Sequence, residues 1–274
     1  MLFCRGLVLA GALLGIPAIA QDGPPDITAI TGRGHLIVAM TAFDNAPFYS
    51  ANHGRLEGID VSLSEDIAAA LGVEVSFDRS AVTFNDVVNK VRNGEADIAV
   101  SKISRTNARA LVVAFSKPYV RLRHALMFNR LNLAQKSNGQ DLGDYVRNFD
   151  GTLGVIENSS FALFAKQRFP KATLMPLKSW DDVVTAALDG TVDAAYRDEF
   201  EVRRIAVDRP ETAINLRTVT IADVNDSIAV VVPWNATSLL GLINQVIDDR
   251  PKEMTADEVI EMYRASLPAS EGGH

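Results

Sequence analysis

The chain has 274 residues, 22% of them charged, and a net charge of −7. That balance argues against a nucleic-acid or anionic-membrane partner, because both require concentrated positive charge. His35, His53, His124 and His274 are scattered and the single cysteine is Cys4, so neither a metal site, a disulfide framework nor a cofactor is expected.

The first 20 residues read as a signal peptide: Arg5 is a positive start, Leu7 to Ile19 an apolar core, and Ala18-Ile19-Ala20 a small-residue cleavage site. The apolar run is short for a bilayer span and no second one follows; a retained anchor is the competing reading. The expected mature protein is exported, periplasmic and soluble. Its remaining length suits one large domain or two modest ones.

Leu36 to Met40 is a strand candidate, followed by a turn-rich stretch through Asn45-Ala-Pro-Phe48 and a hairpin-like excursion marked by Asn52-His-Gly54 and Gly58. A helix starts at Asp60 or Ser62, where Ser62 and Glu65 have capping-box spacing, and Gly72 ends it. Val73, Val75 and Phe77 alternate as a strand. Next comes a segment that occurs twice. Phe84-Asn-Asp-Val-Val, with Gly94, Asp97 and Ala99, recurs as Trp180-Asp-Asp-Val-Val, with Gly190, Asp193 and Ala195, at a constant offset of 96 residues. Each copy reads as helix, glycine stop and short strand. Shared βαβ grammar is one explanation; two similar α/β lobes facing across a cleft is the other. On the second, Ser101-Lys102-Ile103-Ser104 and Arg197-Asp198 sit at equivalent, ligand-facing strand ends.

The second half repeats the order, with strands at 152–156, 173–177 and 192–196 and helices at 160–168, 181–188 and 199–207. Extended stretches at 121–129 and 219–232 are read as the crossings between lobes. Helices at 237–247 and 256–266 return to the first lobe. The expected lobes are therefore 21–129 with 225–274, and 130–224.

Thr106 is a good N-cap, which places Arg109 in the first turn of a helix. Its planar fork suits a bidentate carboxylate; a surface ion pair is the plainer alternative. Tyr119, Tyr196, Arg121, Arg123 and Trp234 read as packing or solvated positions.

Asp97-Ile-Ala-Val-Ser-Lys-Ile-Ser-Arg-Thr-Asn-Ala-Arg109, followed by Phe115-Ser-Lys-Pro-Tyr119, resembles the signature of family 3 periplasmic solute-binding proteins, the amino-acid receptors of ABC importers. The likeness extends from Gly34-His-Leu-Ile-Val-Ala, through Ala46-Pro-Phe48 and Gly58-Ile-Asp60, to Val192-Asp-Ala-Ala-Tyr-Arg-Asp198. It implies an α/β, two-lobed type II periplasmic-binding-protein fold, a monomer that closes over a small solute and a membrane ABC permease as partner. It further implies that Arg109 and Ser104 hold the solute's carboxylate, with Ser159 and Ser160 at a helix start completing the anion site. Asp198 would bind its ammonium and Phe84 its apolar part, with Phe48 nearby.

Two positions depart from that pattern. Lys102 stands where the family has a small residue, and Arg105 where it has an apolar one. Lys102, the repeat counterpart of Asp198, either reads a second carboxylate, neutralises Asp198, or reaches the rim and faces water. An enzyme of the cyclohexadienyl dehydratase type, with Glu157, Asp198 or Lys102 as acid or base, is the alternative to a receptor, as is an accessory or sensor module.

Overall fold

A computed structural model describes residues 23–267 apart from His53 and Lys252. The segment 1–20 read as a signal peptide, with Cys4, and His274 lie outside the described residues. In chain order the elements are α1 (Pro25–Arg33), β1 (His35–Thr41), β2 (Ser50–Asn52), β3 (Arg55–Glu57), α2 (Ile59–Leu71), β4 (Glu74–Ala81), α3 (Phe84–Arg92), β5 (Ile98–Ala99), α4 (Asn107–Ala110) and β6 (Ala114–Asn129). There follow α5 (Arg130–Ser137), α6 (Leu142–Arg147), β7 (Thr152–Ile156), α7 (Ser160–Arg168), β8 (Thr173–Leu177), α8 (Trp180–Leu188), β9 (Ala194–Asp198) and α9 (Glu199–Asp208). A 3-10 turn (Pro210–Ile214), β10 (Leu216–Val232), α10 (Thr237–Asp248) and α11 (Ala256–Ser266) complete the chain. No described helix is long and apolar enough to cross a membrane.

Eight strands form one sheet in the order β4-β1-β5-β10-β6-β9-β7-β8. Its two ends are parallel: β1 pairs with β4 and β5, and β7 pairs with β8 and β9. Between them the long strands β6 and β10 run antiparallel from Leu216↔Asn129 to Val232↔Ala114. Parallel ends with helical crossovers and a shared antiparallel ribbon make the two lobes of a periplasmic-binding-protein fold. The ribbon's register breaks between Ile221 and Asn225. Such a break bends a strand and re-aims the side chains beside it.

The duplicated segment folds the same way twice. Thr83 and Ser179 cap α3 and α8, each in a reciprocal capping box with Asp86 or Asp182, which satisfies donors that a helix start otherwise leaves free. Val87, Val88 and Val91 bury one face of α3, as Val183, Val184 and Ala187 do for α8. The strands that follow, β5 and β9, flank the β10–β6 ribbon on opposite sides.

Apolar packing divides accordingly. One core gathers Leu63, Ile67, Val120 and Val230, and another Phe128, Phe149, Leu153 and Tyr196. Helix α9 bridges the first core to a third, which holds its Val202 and Ile205 with Val183 and Val184. It starts at the end of β9, yet Phe200 is buried in the first core, edge-on to Phe48 at 5.7 Å and to Tyr263 at 5.8 Å.

Helix α2 begins earlier than its sequence predicts. Gly58 is its N-cap with φ 135°, and Ser62 and Glu65 form no capping box. The carbonyls of Pro47 and Phe48 accept from the N–H groups of Ile59 and Asp60 instead, so no side-chain cap is needed. Ser62 Oγ accepts a hydrogen bond from Arg250.

Candidate functional site

The two duplicated strand ends meet across the middle of the sheet. Beyond β5 the chain turns sharply at Lys102, whose φ of 49° is left-handed, a conformation that costs a non-glycine residue about 1 kcal/mol or more. Asp60 holds this turn: one carboxylate oxygen accepts from the Lys102 backbone N–H at 2.7 Å and the other from the Tyr119 hydroxyl at 2.8 Å. Burial raises the Asp60 carboxyl to about 7, against the lowering effect of those two hydrogen bonds.

The Lys102 side chain therefore points inward. Its ammonium donates to Asp198 Oδ2 at 3.1 Å and to Glu201 Oε1 at 2.7 Å. It also lies 5.0 Å from the ring centroids of both Phe48 and Phe200, within cation–π range. The three charged side chains are 2%, 2% and 4% exposed. Arg197 approaches the same acids at 3.7 and 3.9 Å, and Arg204 reaches Glu201 at 3.4 Å. Burial pushes the Glu201 carboxyl upward, but Lys102, Arg204 and Arg197 overcome this and hold it well below the ordinary carboxylate range. Asp198 also caps α9, accepting from the Glu201 backbone N–H.

Arg109 is the second charged centre. Thr106 caps the short helix α4 and accepts from the Arg109 N–H, which fixes the base of a side chain that is 7% exposed. The guanidinium donates to the Ser104 carbonyl at 2.9 Å, and through Nε and Nη2 to Asn85 Oδ1 at 3.3 and 2.9 Å. Three of its five N–H groups are thus engaged. Burial lowers its pKa to about 10, so it stays cationic at neutral pH.

Ser104 and Ser160 join the two walls. Ser160 Oγ donates to Ser104 Oγ at 3.0 Å, and Ser104 Oγ donates to Asp226 Oδ2 at 2.8 Å. Asn85 makes a parallel link, donating to the Asn158 carbonyl at 2.9 Å. Asp226 follows the register break in β10, which explains how a strand residue reaches this spot. Its other oxygen, Oδ1, is buried without a hydrogen-bond partner among the described residues. Burial, and then the nearby Asp198 charge, raise the Asp226 carboxyl to about 7.

These residues enclose a cavity of about 30 Å³, lined also by Phe84, Ile156, Phe161 and Arg197. A volume so far below the usual few hundred Å³ of a ligand pocket means that the cleft is shut in this conformation. A larger hollow of about 410 Å³ lies near Lys117, Arg121 and Arg250. Those cations are already paired with Asp248, Glu253 and Asp66, and the duplicated strand ends do not reach it.

Seven of the eight expected site residues line the small cavity, among them Phe84, Lys102, Ser104 and Arg109 on one wall and Ser160 and Asp198 opposite. Ser159 lines it too, but its hydroxyl is occupied locally, accepting from the Ala162 N–H as the cap of α7 and donating to the Ile156 carbonyl. Phe48 does not line it; fully buried, it backs the Lys102 ammonium. Of the three fates open to Lys102, rim exposure is ruled out by its burial, and it neutralises Asp198. Arg105 is exposed, and Glu157 pairs with Lys178 at 2.6 Å. Asn85, Glu201 and Asp226 escaped sequence reasoning. Asp226 lies in a polar run of β10 with Asp223, Asn225 and Ser227, so nothing in the sequence marked it out.

The fold matches known proteins. Among solved structures, the arginine-bound amino-acid ABC transporter substrate-binding protein of Streptococcus pneumoniae superposes with a TM-score of 0.69 at 27% identity, covering 88% of this chain and 99% of that one. An ancestral amino-acid-binding protein, a precursor of cyclohexadienyl dehydratase, shares the fold at a TM-score of 0.66 and 23% identity, covering 86% and 98%. A probable histidine-binding protein of Campylobacter jejuni is 25% identical over 62% of this chain, and the match spans 63% of that relative's length. A probable histidine-binding protein of Neisseria gonorrhoeae is 26% identical over 43% of this chain and 44% of its own. The family model for bacterial extracellular solute-binding proteins, family 3, matches residues 36–265, and the chain belongs to that family.

Proposed function

We propose that this protein is a periplasmic receptor that captures a small carboxylate-bearing solute between its lobes and delivers it to a membrane ABC permease, without doing chemistry itself. The observation that carries this is Arg109, a buried cation with two N–H groups uncommitted at the mouth of a cleft. Arg109 takes the solute's carboxylate as a fork, a geometry worth more than a point charge. The α7 start at Ser160 faces it from the other wall, where a helix N-terminus favours an anion. Phe84 supplies an apolar surface, set edge-on to Phe43 at 5.7 Å.

The lobes are residues 21–129 with 225–274, and 130–224; the β6–β10 ribbon is the hinge between them. The 30 Å³ cavity supports such motion, because a solute enters only if the walls part. Ser104–Ser160 and Asn85–Asn158 are then the contacts that close behind it. The receptor acts as a monomer, since one chain supplies both walls.

The test is calorimetry and thermal shift of the mature chain against small carboxylic and amino acids. A solute that binds the folded state raises the melting temperature. Arg109→Gln should weaken its binding at least ~10-fold, in line with a charge-assisted hydrogen bond of about 1.5–3 kcal/mol. Unchanged affinity in that variant refutes the assignment, and turnover of any bound solute would establish an enzyme on this scaffold instead.

A further inference from the structure

We propose that the solute of this receptor carries a carboxylate but no ammonium group, because the chain's own Lys102 occupies the cation position at Asp198 and Glu201. The proposal rests on the receptor reading above and names its substrate class: a hydroxy acid, keto acid or simple monocarboxylate with an apolar body.

The first support is geometric. Lys102 Nζ sits between Asp198 Oδ2 and Glu201 Oε1 at 3.1 and 2.7 Å, over two aromatic rings. Any cation brought by a solute would have to displace it, leaving the lysine buried and unpaired, and an uncompensated buried charge is strongly destabilising.

The second support is where the lysine's partners are anchored. Glu201 belongs to α9, which packs on both lobes: Phe200 against Phe48 and Tyr263 in the first core, and Val202 and Ile205 in a core with Trp180 and Val183. Lys102 is itself on the first lobe, its backbone clamped by Asp60. Lys102 is thus fixed from its own side and met by acids whose helix is packed on both lobes, so the chain itself fills the cation position in the closed cleft.

The third support is a charge count. Lys102 and Arg197 balance Asp198 and Glu201 within 3.9 Å, and Arg204, 3.4 Å from Glu201, is balanced by Asp208 at 3.5 Å. Arg109 and Asp226 remain. Asp226 shares Ser104 with the opposite wall and has one oxygen unpartnered; burial beside Asp198 favours its neutral form. With Asp226 neutral, the site holds one uncompensated positive charge, on Arg109, and accepts one negative charge. The Asp226 carboxyl then offers an O–H to the solute. Phe84, Ile156 and Phe161 line the rest, so the solute's body is apolar. A basic amino acid would add a further cation beside Lys102, Arg109 and Arg197.

Calorimetry on the mature wild-type chain tests this with matched series: L-alanine, L-lactate and pyruvate, and L-phenylalanine, phenyllactate and phenylpyruvate. In the series that binds, the hydroxy or keto acid should bind at least tenfold more tightly than the amino acid. Lys102→Gly, which also suits the left-handed backbone, should raise amino-acid affinity tenfold or more; should that variant not fold, the wild-type ratio decides alone. Amino acids binding wild type as tightly as their counterparts, with Arg109→Gln abolishing both, overturn the inference and leave the receptor reading standing. Amino-acid preference that Asp226→Asn removes overturns it too, by assigning the ammonium to Asp226. If wild type binds no carboxylate at all, including arginine, histidine and dicarboxylates, both fail together.

Discussion

Lys102 and Asp198 stand 96 residues apart at matching positions of a duplicated segment, and their charged ends meet at 3.1 Å with almost no exposure to water. Asp198 ends β9 and Lys102 lies in the turn just beyond β5, both beside the central ribbon, so a repeat in sequence has become a contact in space. The two lobes thus join at their equivalent points through opposite charges. Glu201, one turn into α9, completes the pairing.

Removing Lys102 should destabilise the fold. Asp198 and Glu201 would remain buried with only Arg197 and Arg204 at longer range. Lys102→Met should cost roughly 3–5 kcal/mol in urea unfolding, the usual penalty for breaking a buried ion pair. Adding Asp198→Asn and Glu201→Gln should recover much of that loss, because the stranded charges disappear. Additive losses in that cycle would show that the three groups do not act as a unit.

Two buried acids give stability a defined pH dependence. Asp60 and Asp226 are both raised from an ordinary 3.8 to about 7, chiefly by burial. Between about pH 4 and 7 the folded chain therefore keeps protons that the unfolded chain has released, and stability falls as pH rises, levelling off above 7. Glu201, lowered by its cations, contributes with the opposite sign: its stabilisation is present above the unfolded carboxyl range and is lost only in stronger acid. Asp226→Asn, which keeps an acceptor for Ser104, should therefore stabilise the protein at pH 8 by roughly 1–4 kcal/mol. The gain should vanish near pH 4. Equal denaturation midpoints for the two proteins at pH 8 would contradict this.

The same acid should govern binding. Asp226 is faced by Lys102, Arg109, Asp198 and Tyr196. A monoanionic solute beside Arg109 favours its protonated form, so affinity should fall as pH rises through about 7 and the fall should disappear in Asp226→Asn. A zwitterionic solute, needing the ionised acid, would show the reverse slope.

Much of this was legible in the chain. The 3.6-residue pattern of Val87, Val88 and Val91 marks α3 because a helix must bury one face, and its twin α8 is marked the same way. Ser104, Asp198 and Arg109 were legible from their places at strand ends and a helix start, which are local features, while Ser160 and the grouping of all four as one site came from the resemblance to family 3 receptors. What was hidden depends on tertiary placement. Helix α2 starts at Ile59 because the Pro47 and Phe48 carbonyls cap it from outside. The weakly amphipathic α1, α5 and α6 carry only Ile30, Leu133, and Tyr145 with Val146 as buried residues. Asp226 enters the site through a register break that alternation does not reveal. Glu201 joins Lys102 only because Phe200 docks α9 on the other lobe.

Asn85 should prove to be the residue that aims Arg109. Its amide oxygen accepts two of the arginine's N–H groups while its nitrogen reaches the Asn158 carbonyl across the cleft. It lies near the surface on α3, so replacing it leaves the core intact. Asn85→Asp places a carboxylate directly on the Arg109 fork, an internal rival for the solute, and replaces the donor to Asn158 with an acceptor. Binding of the carboxylate solute should drop at least ~10-fold, on the order of one charge-assisted hydrogen bond, while the melting temperature in the absence of solute shifts little. Asn85→Ala frees the guanidinium and should weaken binding less. Titrations showing both variants as tight as wild type would mean that Arg109 finds its place without this amide.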